Sequence, residues 1–490
     1  MLTSQLSRNC SSFGKYVRTI SQYIYPDTIK ERPIKMPEIN FSIPEYKGIS
    51  YQEVQEKRHK FLSPALSTFQ AFKKPFYCTR GKMQYVWDHH GNRYLDLLAQ
   101  NLTISVGHNH PKVLKRVTQQ INNITHSTTM YYNESSILAA EELIKTLPKE
   151  EDWVVHFVNS GSEAVDLAIM LSRVYTGSWD MLSIRNAYHG LHTSAMGATG
   201  LHVCKQNIPN TSGILHVKNP DMYRGVFCDD KDAVKKYSDD IKDVITYSTP
   251  GNIAGFIFEQ VQGYGGIHVL PNGYLKNAYH HVKNAGGLFI ADEVQSGFGR
   301  MGTAFWSFEL EDVVPDIVVT AKGLGNGLPV AAVMVKREIA EAMTKKQFFN
   351  TYGGNPTMCA SSLGVLETLK EDKVQENALI VGQEFYNVLK RLQKKYPIIG
   401  DVRGMGLMYG LDIVKDPDTK EPDPEIAGIL FETIRDNGII MGLGSLHKNT
   451  LRVMPPMCVT KEDAKFLEDV FEYSMEEIQN WRISRNKYSI

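Results

Sequence analysis

The sequence predicts an α/β fold built on a mainly parallel sheet, and three observations carry that prediction. From about Trp153 to Lys336, short apolar runs alternate with amphipathic stretches. The runs are continuously apolar, as strands buried on both faces are. The stretches between them place apolar residues at i, i+3 and i+4, the spacing of a helix lying on a sheet.

The elements follow in order. "MQYVWDHHGNRYLDLL" reads as a hairpin, two apolar runs joined by a turn at His90-Gly91-Asn92. "WVVHFV" is a buried strand, and "SEAVDLAIMLSRVY" is the helix after it, opening at Glu163. "DMLSIR", "IAGFIF", "GLFIAD", "DIVVTA" and "VAAVMV" are further strands. Between the second and third of these lies "GYLKNAYHHVKNAGG", a helix whose closing glycines fit a C-cap. From Pro356 the pattern turns helical with "PTMCASSLGVLETLKE", and a shorter α+β region runs from about Ile380 to Ile490. We therefore expect a large domain over 86–375. Residues 27–85 and 376–490, from the two ends of the chain, are expected to build a smaller α+β domain.

Composition narrows the function. The 490 residues are 42% hydrophobic and 22% charged, the balance of a soluble globular protein. Formal net charge is zero, which gives no electrostatic basis for capturing nucleic acid or an anionic membrane. The six cysteines are scattered without a Cys-x-x-Cys pair, so neither a disulfide framework nor a zinc site is expected. No apolar run approaches the roughly 20 residues of a membrane helix. The first 26 residues carry Arg8, Lys15, Arg18 and several serines but no acidic residue. That composition is expected of a mitochondrial transit peptide; a basic tail with no targeting role is the alternative.

Three short segments carry candidate chemistry. In "DIVVTAKGLGNGLP", Lys322 leaves the carboxyl end of a strand, the edge where ligands bind in parallel sheets. The glycines follow the lysine and lead to another strand, so this is neither a P-loop nor a dinucleotide fingerprint. In "GLFIADEVQSGFGRMG", Asp292 ends a strand at the same edge. Asp292 or Glu293 would serve equally as a helix cap, but capping does not account for a lysine at that edge. A lysine that holds an aldehyde as a Schiff base, beside a carboxylate that keeps a ring nitrogen protonated, suits a pyridine cofactor. "FVNSGSEAVD" offers a seat for a phosphate: a strand, a Gly/Ser turn and a helix start with free backbone N–H groups.

The ordered set "VNSGSEAVDLA", "NAYHG", "IADEVQSGFGRMG" and "AKGLGNGLP" resembles the class III pyridoxal-phosphate aminotransferases. The likeness runs from about Tyr85 to Lys461. Within the family, "ISVGHNHPKV", "FNTYGGNPTMCA", "GDVRGMGLM" and "PPMCVTKED" are similar to its mitochondrial alanine–glyoxylate branch. The resemblance implies the fold type I architecture of pyridoxal-phosphate enzymes, with a seven-stranded sheet. It also implies pyridoxal 5'-phosphate as cofactor, with no metal. Lys322 would bind the cofactor and then move the substrate proton, which requires a lowered pKa. Asp292 would pair with the ring nitrogen, Val294 and Tyr188 would cover the two ring faces, and Gln295 would meet the ring hydroxyl. Gly161 and Ser162 would hold the phosphate, joined by Thr351 from a second subunit of a homodimer or homotetramer. Arg452 in "NTLRVMPP" would clamp the substrate carboxylate. Glu259 would orient the substrate pocket or support the strand end.

The implied reaction moves an amino group from alanine, β-aminoisobutyrate or a methylated arginine to glyoxylate or pyruvate in the mitochondrial matrix. Three departures from the family pattern bear on the substrate. Gln260 replaces a frequent proline, and Ala99-Gln100-Asn101 replaces small and apolar residues. Tyr264 stands where members acting on ω-amino groups carry a glutamate able to mask the arginine. A phospho-lyase on the same fold is the alternative reaction, and a non-catalytic relative would be expected to have lost Lys322 or Asp292.

Overall fold

Seven strands build the central sheet of the computed structural model: β1 (Trp153–Val158), β2 (Met181–Ile184), β3 (Ile214–Val217), β4 (Gly255–Phe258), β5 (Leu288–Asp292), β6 (Ile317–Thr320) and β7 (Ala331–Lys336). The structure describes residues 32–67, 72–73, 75–208 and 213–488, so the expected transit peptide over 1–26 lies outside the described residues. The described residues from Pro37 onward pack as one unit, and 32–36 form no helix or strand.

Across the sheet the order is β1-β7-β6-β5-β4-β2-β3. Only β7 runs antiparallel to its neighbours. The apolar runs quoted above all became strands, and β2, β4, β5 and β6 are buried along their whole length. Sequence reading missed β3. It is a four-residue edge strand, "ILHV", half-buried and interrupted by His216, too short and too mixed to stand out.

The helix after β1 spans Gly161–Thr176, two residues earlier than expected. Ser160, not Ser162, caps it: its Oγ accepts from Glu163 N at 3.3 Å, while Glu163 Oε2 accepts from Asn159 N at 2.6 Å. The first bond satisfies one N–H that the helix leaves free, and the second ties the residue before the cap to the helix, so the turn after β1 is fixed. Gly177, at φ +68°, closes the helix in the left-handed region that glycine tolerates. Val165, Ala168 and Leu171 face the sheet and join one core with Ile290, Val319 and Val333.

Register places the chemistry. β5 and β6 are parallel with Asp292 opposite Val319, and Lys322 lies three residues beyond Val319. Both residues therefore sit at the carboxyl edge of adjacent central strands.

The expected hairpin is present as Tyr85–Asp88 and Arg93–Asp96, with Cys78–Lys82 on one side and Ile439–Ile440 on the other. Strands Ile399–Met405, Met408–Ile413, Thr450–Val453 and Gly442–Gly444 form a separate antiparallel sheet. The two ends of the chain also meet through side chains. Asp463, at the start of the helix Lys461–Tyr488, accepts from Tyr85 Oη at 2.6 Å and Gln84 Nε2 at 2.9 Å. Among the described residues, no helix is long and apolar enough to cross a membrane.

Candidate active site

Lys322 begins a tight turn, Lys322–Gly325, with φ +37°. A non-glycine residue in that region carries strain of about 1–2 kcal/mol, which the surroundings must hold in place. They do so through three side chains. Ser105 Oγ donates to Gly323 O at 2.7 Å, and Ser361 Oγ donates to Gly325 O at 2.8 Å. Asn326 Oδ1 accepts from Val106 N at 3.2 Å. The glycine turn is thus a clamp on the lysine backbone.

The Lys322 amine has no hydrogen-bond or ion-pair partner among the described residues. Burial lowers its pKa to about 8, and Arg452 pushes the same way, against the carboxylates of Asp292 and Glu259. A substantial fraction is therefore neutral near physiological pH, as a nucleophile or base requires.

Asp292 is 4% exposed and held on both oxygens. His189 Nδ1 lies 2.7 Å from Oδ2, and Val294 N donates to Oδ1 at 3.1 Å. His189 was not singled out from the sequence, although "NAYHG" contains it beside Tyr188. It is fully buried, its backbone N donates to Thr199 Oγ1 at 2.9 Å, and its Nε2 has no partner. Glu293, the other candidate cap, is structural: Ser296 Oγ, Ser307 Oγ and Phe308 N all donate to it.

Glu259, at the end of β4, bonds two loops. Its oxygens accept from Tyr188 N at 2.8 Å and Gly263 N at 3.2 Å, tying together the turns that carry Tyr188 and Tyr264. Burial raises its pKa to about 7, with Asp292 adding to the effect and His189 opposing it.

The phosphate-seat candidates converge with these groups. A Cβ on Gly161 would lie 3.3 Å from Val294 Cγ1 and 3.7 Å from the Ala321 Cβ, so the helix start, Val294 and the lysine turn are in contact. Ser162 Oγ accepts from Leu191 N at 3.2 Å, and a side chain on Gly190, whose φ is +115°, would collide with it. Gln295 is buried against Gly263, where any side chain would strike its amide. Thr351, expected from a second subunit, is exposed in this chain beside Asn350, whose Oδ1 accepts from Asn159 Nδ2 at 3.1 Å.

Arg452 lies in the strand Thr450–Val453, paired with Gly442 and Gly410. It is 4% exposed, and its Nε has no hydrogen-bond partner. Among the described residues no carboxylate forms an ion pair with it, and burial lowers its pKa to about 10. A buried cation without a counter-charge is costly and points to an anionic ligand. Gln100 and Asn101 are exposed, at φ +50° and +59°.

A partnerless amine, a fixed carboxylate and a glycine cradle at a helix start now stand at one sheet edge, and an uncompensated arginine on a separate sheet is near enough to act on the amine electrostatically. The sequence profile of aminotransferase class-III matches residues 69–474. The chain belongs to this family. It is 45% identical over 441 residues to the mitochondrial alanine–glyoxylate aminotransferase 2 homolog 2 of Arabidopsis thaliana, covering 90% of this chain and 91% of that protein. It is 36% identical to the ethanolamine-phosphate phospho-lyase homolog 1 of Caenorhabditis elegans, over 84% of this chain and 91% of that one. Among solved structures, a Bacillus anthracis aminotransferase superposes with a TM-score of 0.80 at 29% identity, covering 88% of this chain and all of that one.

This class-III aminotransferase has the fold type I architecture, and its cofactor is pyridoxal 5'-phosphate. The residues present fit that group. The free amine of Lys322 meets the need for a carbonyl-binding nucleophile, and a methyl group on Gly190 would collide where Ser162 and the helix start leave donors open.

Proposed function

We propose that this aminotransferase moves the amino group of a small α-amino acid, alanine above all, to an α-oxo acid such as glyoxylate or pyruvate. The observation that carries the reading is Arg452, a buried cation without a counter-charge in an electrostatic group with Lys322. Amino donor and oxo acceptor each bear a carboxylate beside the reacting carbon, so one arginine serves both. A shared site makes the reaction ping-pong: the first product leaves before the second substrate binds.

Lys322 would bind the cofactor through Nζ, and Asp292 would accept from its ring nitrogen with its own orientation fixed by His189. Tyr188 and Val294 would cover the ring faces, Gln295 would face the ring hydroxyl, and Gly161 and Ser162 would hold the phosphate. When bound, the cofactor supplies a conjugated electron sink for charge at the substrate Cα. Once the substrate's amino group has displaced it from the cofactor, Lys322 Nζ would be free to take the proton from Cα, a task its lowered pKa suits. Arg452 fixes the substrate carboxylate so that this proton faces the amine.

Phosphate elimination is the competing reaction, given the phospho-lyase relative. It calls for free cations near Arg452 to receive a substrate phosphate. Two arginines bound to that sheet are engaged: Arg224, from the loop after β3, donates through Nη1 to Asp412 at 2.9 Å, and Arg403 donates to Asp412 at 3.1 Å and Asp401 at 3.0 Å. Initial rates with alanine and glyoxylate test the reading. Parallel double-reciprocal lines support it, whereas phosphate release from phosphoethanolamine without oxo-acid consumption overturns it.

A homodimer or homotetramer fits the same reading. Thr351 lies beside exposed Tyr352, Phe348 and Phe349, and Met130, Tyr131 and Tyr132 are 72%, 68% and 101% exposed. His126 and Tyr352 rings lie 5.1 Å apart, linking the two stretches into one apolar face. A second copy on that face would carry Thr351 to the neighbouring phosphate seat. The basic, acid-free N-terminus and the mitochondrial relatives support a location in the mitochondrial matrix.

A further inference from the structure

The small antiparallel sheet that carries Arg452 is polar on one face. Across it, Arg403 pairs with Gly410, Gly410 with Arg452, and Arg452 with Gly442. The next row is Asp401, Asp412, Thr450 and Gly444. Residues two apart on a strand, and residues directly paired across strands, share a face, so both rows lie together. Val402, Leu411 and Leu451, all buried, take the opposite face. Asp412 is thus the diagonal neighbour of Arg452, a spacing of roughly 7–8 Å that long side chains span.

Asp412 is nevertheless taken up by other groups. It is fully buried, and Arg224 approaches it with both terminal nitrogens, Nη1 donating to Oδ2 at 2.9 Å and Nη2 to Oδ1. Arg403 Nη2 donates to Oδ2 at 3.1 Å, Asn449 Nδ2 to Oδ1 at 2.7 Å and Thr450 Oγ1 to Oδ2 at 3.4 Å. A carboxylate has about four acceptor positions, so none remains for Arg452. Burial would push the Asp412 carboxyl up, but the bonds and charges of Arg224 and Arg403 hold it below its ordinary range. Arg224 reaches in from the loop after β3, where Asp221 Oδ1 accepts from its backbone N at 3.0 Å and Lys420 O accepts from its Nε at 2.7 Å.

A buried carboxylate deprived of its cation is strongly destabilised and draws the next one within reach. On this face that cation is Arg452. We propose that Arg224 and Arg403 are positioning residues for the carboxylate site: they occupy Asp412 and so withhold it from Arg452, which stays open for substrate. The inference rests on the reading of Arg452 as the carboxylate-binding residue.

The test uses the cofactor-loaded protein, with propionate as the binding probe and L-alanine for the half-reaction. Calorimetric titration should show R224Q/R403Q binding propionate at least about tenfold more weakly than the parent. The KM for alanine should rise by a similar factor while kcat stays within about threefold. D412N keeps the side-chain shape and removes its charge. Alone it should leave propionate affinity within about threefold of the parent, and added to R224Q/R403Q it should restore affinity to that range. A merely structural role predicts the reverse, with D412N itself weakening propionate and rescuing nothing. Parental affinity in R224Q/R403Q, or no recovery in R224Q/R403Q/D412N, overturns the inference. R452Q separates the two levels. If it binds propionate as the parent does, the arginine reading fails and the inference with it. If it loses propionate while R224Q/R403Q keeps it, only the inference about Asp412 falls. Where the double variant does not fold, R224Q, a change in a loop, should weaken propionate at least about threefold and R224Q/D412N should restore it; unchanged affinity in R224Q overturns the inference.

Discussion

At the scale of single residues, burial disfavours the ordinary charge state of the groups closest to the chemistry. Lys322 has a folded-state pKa of about 8 against 10.5 for a free lysine. Its neutral fraction grows as pH rises through that value, so single-turnover amino-group transfer should accelerate up to about pH 9 and then level off. In cofactor-free protein the unfolded chain binds more protons between those two values, so stability should rise with pH across that window. Glu259 has the opposite sign. Its folded pKa of about 7 exceeds the ordinary 4.5, so the folded state holds the extra proton and stability falls as pH rises through that range. The Glu259→Gln variant should lose that slope, measured as Tm against pH. Arg452→Gln should raise the KM for alanine by about a hundredfold, the loss of a charge-assisted pair at roughly 3 kcal/mol, with kcat less affected.

At the scale of elements, the continuous apolar runs made six of the seven central strands plain, and the alternation with helical spacing made the sheet mainly parallel. What escaped was decided by caps and edges. Ser160 accepted the N3 amide and moved the helix start forward, a choice that "NSGSE" leaves open between two serines. β3 escaped because a short edge strand buries only one side and needs no apolar run. The lysine and aspartate were legible because each ends such a run, whereas His189 was not: its role depends on a contact 103 residues away in sequence. The helix Gly161–Thr176 matters doubly, as it presents Gly161 and Ser162 while packing against β5, β6 and β7. Leu171, fully buried there, should cost about 2–5 kcal/mol when cut to alanine. Thermal unfolding and cofactor affinity should both weaken in that variant, since the helix start moves with its core face.

At the scale of the whole molecule, ends distant in sequence complete one site. Asp463 binds Gln84 and Tyr85, and the strand Ile439–Ile440 pairs with Arg93–Asp96, so Arg452 is held on a frame that both chain ends share. Sequence patterns suggested that the ends meet but gave no view of what lies opposite Arg452, because charge balance around a buried group is a property of the assembled fold. The exposed face around Tyr132 and Tyr352 should matter at the same scale. The charged variant Tyr132→Asp should shift the protein to a smaller species in sedimentation and loosen the cofactor, if a second copy supplies Thr351. The most direct measurement of the central claim, that Lys322 and Arg452 serve one transamination site, is the absorbance of the purified protein before and after L-alanine and then glyoxylate. A visible cofactor band should fade with alanine and return with glyoxylate, borohydride should fix the cofactor on Lys322, and Arg452→Gln should keep the band but need far more alanine to bleach it. A protein with no such band after cofactor addition, or one whose band responds equally in Arg452→Gln, would contradict the account.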